Sequence, residues 1–406
     1  MGNVFATVLL AAILLVWLAY ARVLRRVGAL PELRRLPASL PGGLPWPPLS
    51  VVVACRNEEG AVRQALSSLL AQDYPALELI VVDDRSEDAT GAILRELAAA
   101  HPALRVTRVD ALPEGWLGKT HALQRGAAQA SGAWLLFTDA DVIFSPDALR
   151  RAVAWATRDD LGHAVAFPHF IAPGLLERAF VALFGLFFLA RLRVDELRRP
   201  GTAAHVGMGA FNLVRREHYL AIGGHERLRL EVVDDVALGL ILRRSGVRQG
   251  CADSGGLVRV RWQRGFVASM RGLLKNLFAG LGYRWSAALL GIVSVPALAT
   301  FPSLYLALSL ASGSPVRLVP GLVAATAVAL PVALLGATAR RLAGGRGHEG
   351  LLLPLMGLAL GLVVLASALG TTLRGAVSWR GTRYALDDLR AGGVRAADWP
   401  PDRAPG

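Results

Sequence analysis

The sequence predicts an α/β fold with a mostly parallel sheet flanked by helices, together with membrane-spanning helices at the N-terminus and in the C-terminal third. Two patterns support this prediction. Between residues 49 and 167, short β-branched runs alternate with helical stretches, and long uncharged apolar stretches lie towards both ends of the chain. Hydrophobic residues make up 53% of the 406 residues, which is more than soluble domains usually contain. The chain is therefore long enough for one large domain plus membrane segments.

The first apolar run, Val4–Tyr20, carries no charge and has about the minimum length of a membrane-spanning helix, roughly 17 residues. A cleaved signal peptide is the alternative. In a signal peptide the basic residues precede the apolar run, whereas here they follow it, beginning at Arg22. We therefore predict an uncleaved anchor over residues 1–23, followed by a basic, proline-rich linker over residues 24–48.

The region that follows predicts strands and helices in regular alternation. The predicted strands are Ser50–Cys55, Leu77–Val82, Arg105–Val109, Ala133–Thr138 and His163–Phe167. The predicted helices are Glu59–Ala71, Asp88–Ala100, Thr120–Ala130 and Pro146–Thr157. Because such alternation produces right-handed crossovers, the sheet is expected to be mostly parallel. Ligands of these sheets bind beyond the carboxyl ends of the strands.

Further apolar stretches predict membrane helices in the C-terminal third: Ala287–Ala311, Val316–Ala339 and Leu351–Gly370. The apolar stretch Leu175–Ala190 is short for a span and contains Glu177 and Arg178, so an interfacial helix near residues 174–192 is favoured over a core helix. The predicted division of the chain is an anchor (1–23), a linker (24–48), an α/β domain (49–282), membrane helices (287–372) and a basic tail (373–406).

The orientation of the membrane helices is left open by the sequence. One span before the α/β domain and three after it would place the tail on the other side of the membrane from the domain. The basic residues of the tail favour the cytoplasmic side instead: Arg374, Arg380, Arg383 and Arg390. Either one apolar stretch is re-entrant or interfacial, or the charge rule does not hold here. We expect a multi-pass protein of the cell (inner) membrane with a cytoplasmic α/β domain.

Charge and cysteine content narrow the functional classes. The net charge of +13 comes almost entirely from arginine, because Lys119 and Lys275 are the only lysines. No stretch has the character of a nucleic-acid-binding module, so no nucleic-acid partner is predicted. The two cysteines, Cys55 and Cys251, provide neither a disulfide framework nor a metal-ligand spacing.

Acidic residues follow the predicted strand that contains Trp134–Phe137, where apolar sequence changes to Thr138-Asp139-Ala140-Asp141. Two carboxylates separated by one residue can point to the same side of an extended chain. Their hard oxygen ligands suit Mg²⁺ or Mn²⁺, and Mg²⁺ also binds substrate phosphates. A solvated turn or a helix cap is the alternative. At the end of a buried strand we favour a divalent-metal site formed by Asp139 and Asp141.

Polar clusters also end two other predicted strands. One cluster contains Asp83 and Asp84, and the other contains Arg56, Asn57 and Glu58. Carboxylates at these positions can accept hydrogen bonds from a nucleobase or a ribose. They also lie near a helix start, where negative charge is favourable and where helix capping is the alternative role. No G-x-G-x-x-G follows the first strand, which disfavours a dinucleotide-type site.

Lys119 immediately precedes a predicted helix, within Trp116-Leu117-Gly118-Lys119-Thr120. A lysine beside the N–H groups of a helix start is suited to binding a diphosphate. An ordinary exposed lysine is the alternative. Because nearly every other cationic side chain in this sequence is an arginine, we favour the diphosphate role.

A second acidic pair, Asp234 and Asp235, precedes the apolar helix Val236–Leu242. Asp235 either caps that helix or, if it shares a pocket with the metal site, acts as a general base. Asp234 and the pair Arg261-Trp262 are further candidates for binding an acceptor or a phosphate. The arginine and tryptophan lie in a stretch of cations without acids, for which positive-inside flanking sequence is the alternative.

Taken together, these residues resemble a known family. From Leu49 to about Gly282 the chain resembles the family 2 glycosyltransferases with a GT-A fold, in particular the membrane branch called hopene-associated or carotenoid (diaponeurosporenoate-type) glycosyltransferases. The motifs that carry the resemblance are Val51–Glu59, Val82–Ser86, Gly115–Lys119, Asp139–Asp141 and Val233–Asp235. In addition, Trp379–Tyr384 resembles a basic motif near the C-terminus of such enzymes.

The resemblance implies a nucleotide-diphosphate sugar donor and a divalent metal. Asp83 or Asp84 would hold the base or ribose, and Asp235 matches the family's catalytic base. Processive polysaccharide synthases carry Q-x-x-R-W, but here Val258 occupies the glutamine position, which favours transfer of a single sugar. We therefore expect an inverting enzyme that glycosylates a membrane lipid of isoprenoid, hopanoid or carotenoid-like type. The alternatives are transfer to a polyprenyl phosphate and a non-catalytic membrane scaffold with a nucleotide-sugar fold.

Overall fold

The structure is a computed structural model that describes residues 2–193, 196–197, 202–311 and 318–394. It divides into two compact units. The helical unit consists of Met1–Ala29, Phe170–Asp195 and Trp262–Arg374. The α/β unit consists of Leu30–His169, Glu196–Arg261 and Gly375–Gly406.

The strands of the described residues lie in the α/β unit, except that one of them also includes Phe170 of the helical unit. In chain order they are β1 (Leu49–Cys55), β2 (Leu77–Asp84), β3 (Leu104–Val109), β4 (Trp134–Asp139), β5 (Val142–Phe144), β6 (His163–Phe167), β7 (His169–Phe170, at its border), β8 (Asn212–Arg215), β9 (Gln249–Asp253), β10 (Val258–Val260), β11 (Ala376–Trp379) and β12 (Thr382–Ala385).

The helices occur in both units. In chain order they are α1 (Gly2–Gly28), α2 (Val62–Leu70), α3 (Thr90–Ala100), α4 (Gly118–Ala127), α5 (Ala148–Arg158), α6 (Leu175–Leu192), α7 (Arg216–Ala221), α8 (Asp234–Arg244), α9 (Phe266–Leu273), α10 (Leu277–Gly280), α11 (Trp285–Ala311), α12 (Leu318–Ala343), α13 (Leu353–Arg374) and α14 (Leu386–Gly392).

The main sheet of the α/β unit has the strand order β3-β2-β1-β4-β8-β6-β9. Neighbouring strands are parallel except that β8 runs antiparallel to both β4 and β6. This confirms the predicted mostly parallel sheet flanked by helices. The predicted strands all lie in it, while β8 and β9 come from a region where the sequence analysis assigned no strand.

Strand register brings the polar clusters to one edge of this sheet. Cys55, the last residue of β1, lies opposite Asp83, and Ala54 lies opposite Asp139. All three strands are parallel, so the residues that follow them leave the sheet on the same side. The burial of β1, β2 and β4 is nearly continuous, as expected for strands covered on both faces.

The helical unit contains the apolar helices. Four helices among the described residues are long and apolar enough to cross a membrane: Val4–Gly28, Trp285–Ala311, Pro320–Ala343 and His348–Arg374. This supports the predicted membrane helices at the N-terminus and in the C-terminal third. The helix α6 packs Phe180, Leu183 and Leu186 into the core of this unit, where each is fully buried. Its interfacial position stays a prediction.

The last two of these helices are joined by a segment that doubles back. After α12, the backbone near Gly347 contacts Gly336 and that near Gly350 contacts Val332, so the chain runs backwards along α12. The helix α13 then runs antiparallel to α11, and the Trp285 indole at the start of α11 donates a 3.2 Å hydrogen bond to Thr372 Oγ1 near the end of α13. The end of α13 therefore lies beside the start of α11, as the re-entrant alternative requires.

The segment that doubles back contains a buried carboxylate, Glu349, which is 0% exposed. Arg178 Nε of α6 donates to its Oε1 at 2.9 Å. The N–H groups of Arg346 and Gly347 donate to the same side chain at 3.2 and 2.7 Å. A charge inside an apolar bundle needs such partners, so this ion pair explains how a polar segment is accommodated there.

Candidate active site at the strand ends

Two of the predicted acids converge on Gly209. A β-carbon built on this glycine would lie 2.7 Å from Asp139 Oδ2 and 3.5 Å from Asp235 Oδ2. Asp139 ends β4, and Asp235 lies in the first turn of α8. Residues almost a hundred positions apart therefore share one small space, which exists because Gly209 carries no side chain.

The carboxylate of Asp235 is held in one orientation by backbone donors. Its Oδ2 accepts a hydrogen bond from the N–H of Gly209 at 2.6 Å, and its Oδ1 accepts one from the N–H of Val236 at 2.9 Å. The second of these N–H groups belongs to the free amino end of α8, where a negative charge is favourable. Asp235 therefore contacts a free N–H group of α8 and also lies beside Gly209, although the helix has no side-chain cap.

Lys119 connects the two acidic regions. Its Nζ lies 2.9 Å from Asp139 Oδ1 and 3.4 Å from Asp234 Oδ1. Burial alone would lower the pKa of this lysine, but the charges of Asp139, Asp234 and Asp235 outweigh burial and raise it. A diphosphate role for Lys119 was predicted from the sequence, and the structure adds direct ion pairs of Lys119 with Asp139 and Asp234.

Asp234 is buried beside the lysine. Burial raises the pKa of its carboxyl group, Asp235 and Asp139 raise it further, and Lys119 opposes them. The charges of three acids therefore act on Lys119: Asp139, Asp234 and Asp235.

Asp141 adds to the same negative charge. Burial, together with the carboxylates of Asp139 and Glu58, raises the pKa of its carboxyl group. In the described part of the chain no three His, Cys, Asp or Glu side chains are grouped closely enough to hold a metal by themselves. Mg²⁺ needs only one or two carboxylates when substrate phosphates supply further oxygens. The hard oxygens and excess negative charge of Asp139 and Asp141 therefore fit such a cation.

The two acids at the end of β2 have different environments. Asp83 is tied into its own turn, since its Oδ2 accepts from Arg108 Nη1 at 2.9 Å and its Oδ1 from the N–H of Ser86 at 3.0 Å. Asp84 accepts two hydrogen bonds from the guanidinium of Arg85, at 2.7 and 3.1 Å. A β-carbon on Gly118 would lie 2.1 Å from Asp84 Oδ2, so this carboxylate points at the start of α4.

The residues after β1 are fixed by the turn that follows β2. The N–H of Asn57 donates to Ser86 Oγ at 3.0 Å, and Asn57 Oδ1 accepts from the N–H of Glu87 at 2.8 Å. The N–H of Glu58 donates to Thr90 Oγ1 at 2.8 Å. Asn57 also adopts a left-handed conformation with φ of 53°. These bonds join the two turns into one rigid edge beside Asp84.

The strand ends that form this edge lie in a region that matches a known protein family. Residues 50–223 match the family described as Glycosyl transferase family 2. This region, which is less than half of the chain, is therefore similar to the family 2 glycosyltransferases. The matched residues include the strand ends that hold Asp84, Asp139 and Asp141, whereas Asp235 follows the matched region.

Individual proteins resemble the chain over a wider range. The 4,4'-diaponeurosporenoate glycosyltransferases of Staphylococcus aureus strains MRSA252 and USA300 are each 28% identical to it over 237 residues. The alignment covers 58% of this chain and 62% of each relative, so the chain matches about three fifths of the length of these relatives.

A solved structure shares the fold. The mannosyltransferase PcManGT from Pyrobaculum calidifontis, in complex with GDP-Man and Mn²⁺, superposes with a TM-score of 0.59 at 22% sequence identity. The match covers 92% of this chain and 99% of that chain. The α/β unit therefore has the GT-A-type fold that the sequence predicted.

Residues after the matched region, which the sequence did not point to as part of the site, contact its strand ends. The hairpin formed by β11 and β12 contacts the β1 edge: Arg380 Nη1 donates to the Asn57 carbonyl at 3.2 Å, and the same guanidinium pairs with the Glu58 carboxylate. The N–H of Gly118 donates to the hydroxyl of Tyr384 at 3.3 Å. The sequence signal for these contacts was the Trp379–Tyr384 motif, whose resemblance to a basic C-terminal motif gave it no role.

The C-terminal segment also reaches the turn before α8. Glu231 Oε2 accepts from the N–H of Val394 at 3.0 Å, and its Oε1 accepts from the N–H of Val233 at 3.3 Å. Burial raises the pKa of this glutamic acid. The segment after residue 375 therefore contacts both the β1 edge and the turn that leads to Asp234 and Asp235.

Two predicted residues are not brought to this cluster within the α/β unit. Arg261 ends the segment Glu196–Arg261 of the α/β unit and is exposed. Trp262 belongs to the helical unit, where its ring stacks on Phe184 with centroids 5.4 Å apart and an angle of 19° between the planes. Their role in binding an acceptor or phosphate stays a prediction.

Proposed function

We propose that the protein is a membrane-bound inverting glycosyltransferase that moves one sugar from a nucleotide-diphosphate sugar to a lipid acceptor. The observation that carries the proposal is the convergence of Asp139 and Asp235 on Gly209. A carboxylate suited to holding the donor and a carboxylate suited to taking a proton then lie side by side. The match to family 2, the four candidate membrane helices and the names of the relatives support the same function.

The donor side of the proposed site lies at the ends of β1, β2 and β4. Asp84, with Arg56 and Arg85 beside it, is suited to the base or ribose of the donor. Asp83 is the alternative candidate, and its oxygens contact Arg108 and Ser86.

Asp139 and Asp141 would hold the divalent metal, Mg²⁺ or Mn²⁺. When bound, such a metal offsets the negative charge that develops on the departing nucleoside diphosphate. Lys119 supplies a second positive charge at the same carboxylate, 2.9 Å from Asp139 Oδ1. Glu58 and Asn57 complete the edge through backbone and carboxylate contacts with the C-terminal hairpin.

Asp235 acts as the general base in this mechanism. The hydroxyl oxygen of the acceptor attacks the anomeric carbon of the sugar, and the bond from that carbon to the diphosphate oxygen breaks. The hydroxyl proton passes to the Asp235 carboxylate. Because the N–H groups of Gly209 and Val236 fix that carboxylate, it is oriented before the acceptor arrives, which lowers the cost of reaching the reactive geometry. A single displacement inverts the anomeric centre.

The proposed acceptor is a membrane lipid of isoprenoid, hopanoid or carotenoid-like type. The apolar helical unit supports it, since such an acceptor is confined to a bilayer. We place the protein in the cell (inner) membrane with the α/β unit in the cytoplasm, where nucleotide sugars are made. The doubling back between α12 and α13, which returns the chain to the start of α11, supports a tail on the same side as the α/β unit.

The proposal is tested by full-length protein in nanodiscs, supplied with a panel of nucleotide sugars and lipid alcohols. Wild-type protein is expected to release nucleoside diphosphate and to form a glycosylated lipid. Asp235→Asn is expected to lose transfer by a factor of about 10² to 10⁴, the usual contribution of a general base, while its nucleotide affinity stays unchanged. Asp160→Asn is the matched control, because Asp160 is an exposed acid paired only with Arg215 at the surface.

Three outcomes contradict the proposal. Full transfer by Asp235→Asn with a lipid alcohol removes the assigned base, and full transfer with a polyprenyl phosphate identifies an acceptor that needs none. Absence of both transfer and donor hydrolysis by wild-type protein over the whole panel would favour a non-catalytic scaffold.

A further inference from the structure

The segment Val206–Gly209 lies unusually close to the first turn of α8. A β-carbon on Gly207 would lie 1.8 Å from the carbonyl oxygen of Asp235, and one on Gly239 would lie 1.8 Å from the carbonyl oxygen of Val206. Only glycine fits at such positions, because real β-carbons do not approach other atoms so closely. Backbone therefore packs directly on backbone, and the position of Asp235 depends on the register between these two segments.

A buried amide, Gln249, bridges the two segments. It lies at the start of β9 and is 2% exposed. Its Nε2 donates to the Gly239 carbonyl of α8 at 2.6 Å, and its Oε1 accepts from the N–H of Val206 at 3.3 Å. One side chain thus satisfies a backbone acceptor on the helix and a backbone donor on the facing segment. Without Gln249 the buried N–H of Val206 would lose this partner, which would cost stability.

A second amide contacts the same helix turn from β8. Asn212 is 2% exposed, and its Nδ2 donates to the Asp235 carbonyl at 3.4 Å. Its Oδ1 is paired with His163 Nε2 at 2.8 Å, and burial lowers the pKa of that histidine to about 4. The neutral histidine thus donates to Asn212 Oδ1, which leaves the amide nitrogen directed at α8.

From this geometry we propose that Gln249 is a positioning residue for Asp235. It holds Val206–Gly209 against α8 so that the Gly209 N–H reaches the Asp235 carboxylate, and Asn212 supports the same turn from the other strand. Gln249 acts through this packing and does not itself contact substrate. The inference rests on the proposed role of Asp235 as the base.

The test compares Gln249→Met with Gln72→Met. Methionine keeps the size of the side chain and removes its hydrogen bonds. Gln72 is a matched control elsewhere in the α/β unit: it is 9% exposed, its Nε2 donates to the carbonyls of Ser68 and Ser145 at 3.0 and 2.8 Å, and its Oε1 accepts from the N–H of Leu149 at 3.2 Å. Both variants remove backbone contacts of one buried glutamine, so both lower the melting temperature.

A positioning role predicts a loss of kcat without a comparable change in the donor KM, whereas a merely structural role does not. Gln249→Met is expected to lower kcat by at least about tenfold per folded molecule, because displacement of a catalytic group by about 1 Å can cost 10²-fold, while the donor KM changes less than twofold. Gln72→Met is expected to keep the wild-type kcat per folded molecule. Wild-type kcat in Gln249→Met, or an equal loss of kcat in both variants, overturns the proposal.

Two additional variants ensure that the result can be interpreted. If Gln249→Met fails to fold, Gln249→Glu retains the shape and the acceptor for Val206 but loses the donor for Gly239, and the same split between kcat and KM is expected. Asp235→Asn is measured in parallel. Full activity of Asp235→Asn refutes the proposed base, whatever the activity of the Gln249 variants. If Asp235→Asn is inactive but Gln249→Met has the wild-type kcat, only the positioning role is refuted.

Discussion

Lys119 Nζ lies 2.9 Å from Asp139 Oδ1, so the cation of the site is paired with a carboxylate assigned to the metal. The same ammonium group lies 3.4 Å from Asp234 Oδ1 in the first turn of α8. One positive charge therefore links Asp139, on the proposed donor side, to Asp234, the neighbour of the proposed base. The consequence is an electrostatic competition, since the lysine and a divalent cation are both attracted to Asp139.

Replacing the lysine is expected to strengthen metal binding in the absence of donor. In Lys119→Met the repulsion between the ammonium group and the metal is gone, and we expect the Kd for Mn²⁺ without donor to fall by about tenfold, a factor that corresponds to about 1.4 kcal/mol. Transfer activity is expected to fall at the same time. Titration of Mn²⁺ by electron paramagnetic resonance measures the first effect. Lys275→Met, which removes the only other lysine, should leave Mn²⁺ binding unchanged, and equal binding by both variants contradicts the competition.

Asp141→Asn is expected to abolish the metal dependence of donor binding. The substitution keeps the size of the side chain but removes one of the two carboxylates that fit the cation. Nucleotide affinity is measured by calorimetry with Mn²⁺ and with a chelator. The ratio of the two affinities should fall to about one in Asp141→Asn and stay at the wild-type value in Asp110→Asn, a change at an exposed acid whose side chain is 86% accessible. An unchanged ratio in Asp141→Asn removes this residue from the metal site.

Gly209→Ala is expected to impair catalysis more than folding. The new methyl group would meet Asp139 Oδ2 at 2.7 Å, which forces that carboxylate or the Gly209 backbone to move and disturbs the N–H bond to Asp235. We expect kcat to fall by at least about tenfold with a small change in melting temperature. Gly280→Ala is the control because nothing lies within 4 Å of its β-carbon position. Wild-type kcat in Gly209→Ala would show that the two acids do not work together at this glycine.

The sequence predicted the sheet well because its signal is local. The strands β1, β2 and β4 are continuous apolar runs that end in polar residues, and each part of that pattern lies within about ten residues of the chain. The acids at those ends were therefore found from the sequence. The observed β1, β2 and β4 extend only one or two residues beyond the predicted bounds.

The remaining parts of the site depend on contacts between distant segments, which spacing does not encode. Gln249 begins β9, a strand without a distinct pattern, and its partners at Val206 and Gly239 are identified only when three segments meet. Gly209 is one of 43 glycines, and its closeness to Asp139 follows from the antiparallel pairing of β8 with β4. The doubling back between α12 and α13 could not be predicted either, because it depends on tertiary contacts with α12. The apolar stretch Leu351–Gly370 alone predicts an ordinary span.

The hairpin of β11 and β12 offers the last test, because its own residues lie outside the matched region 50–223 whereas the residues that it contacts lie inside that region. Arg380 joins it to the carbonyl of Asn57 and to the carboxylate of Glu58, so Arg380→Ala should release the hairpin from the β1 edge. We expect faster hydrogen exchange over residues 375–394 and a donor KM raised several-fold, with kcat at saturating donor close to wild type. Arg63→Ala is the control, since Arg63 forms a comparable pair with Glu96 on the exposed surface. Faster exchange without any change in donor KM would mean that the hairpin contacts the edge without contributing to the donor site, whereas a change in both ties residues at the end of the chain to the donor-binding edge of the sheet.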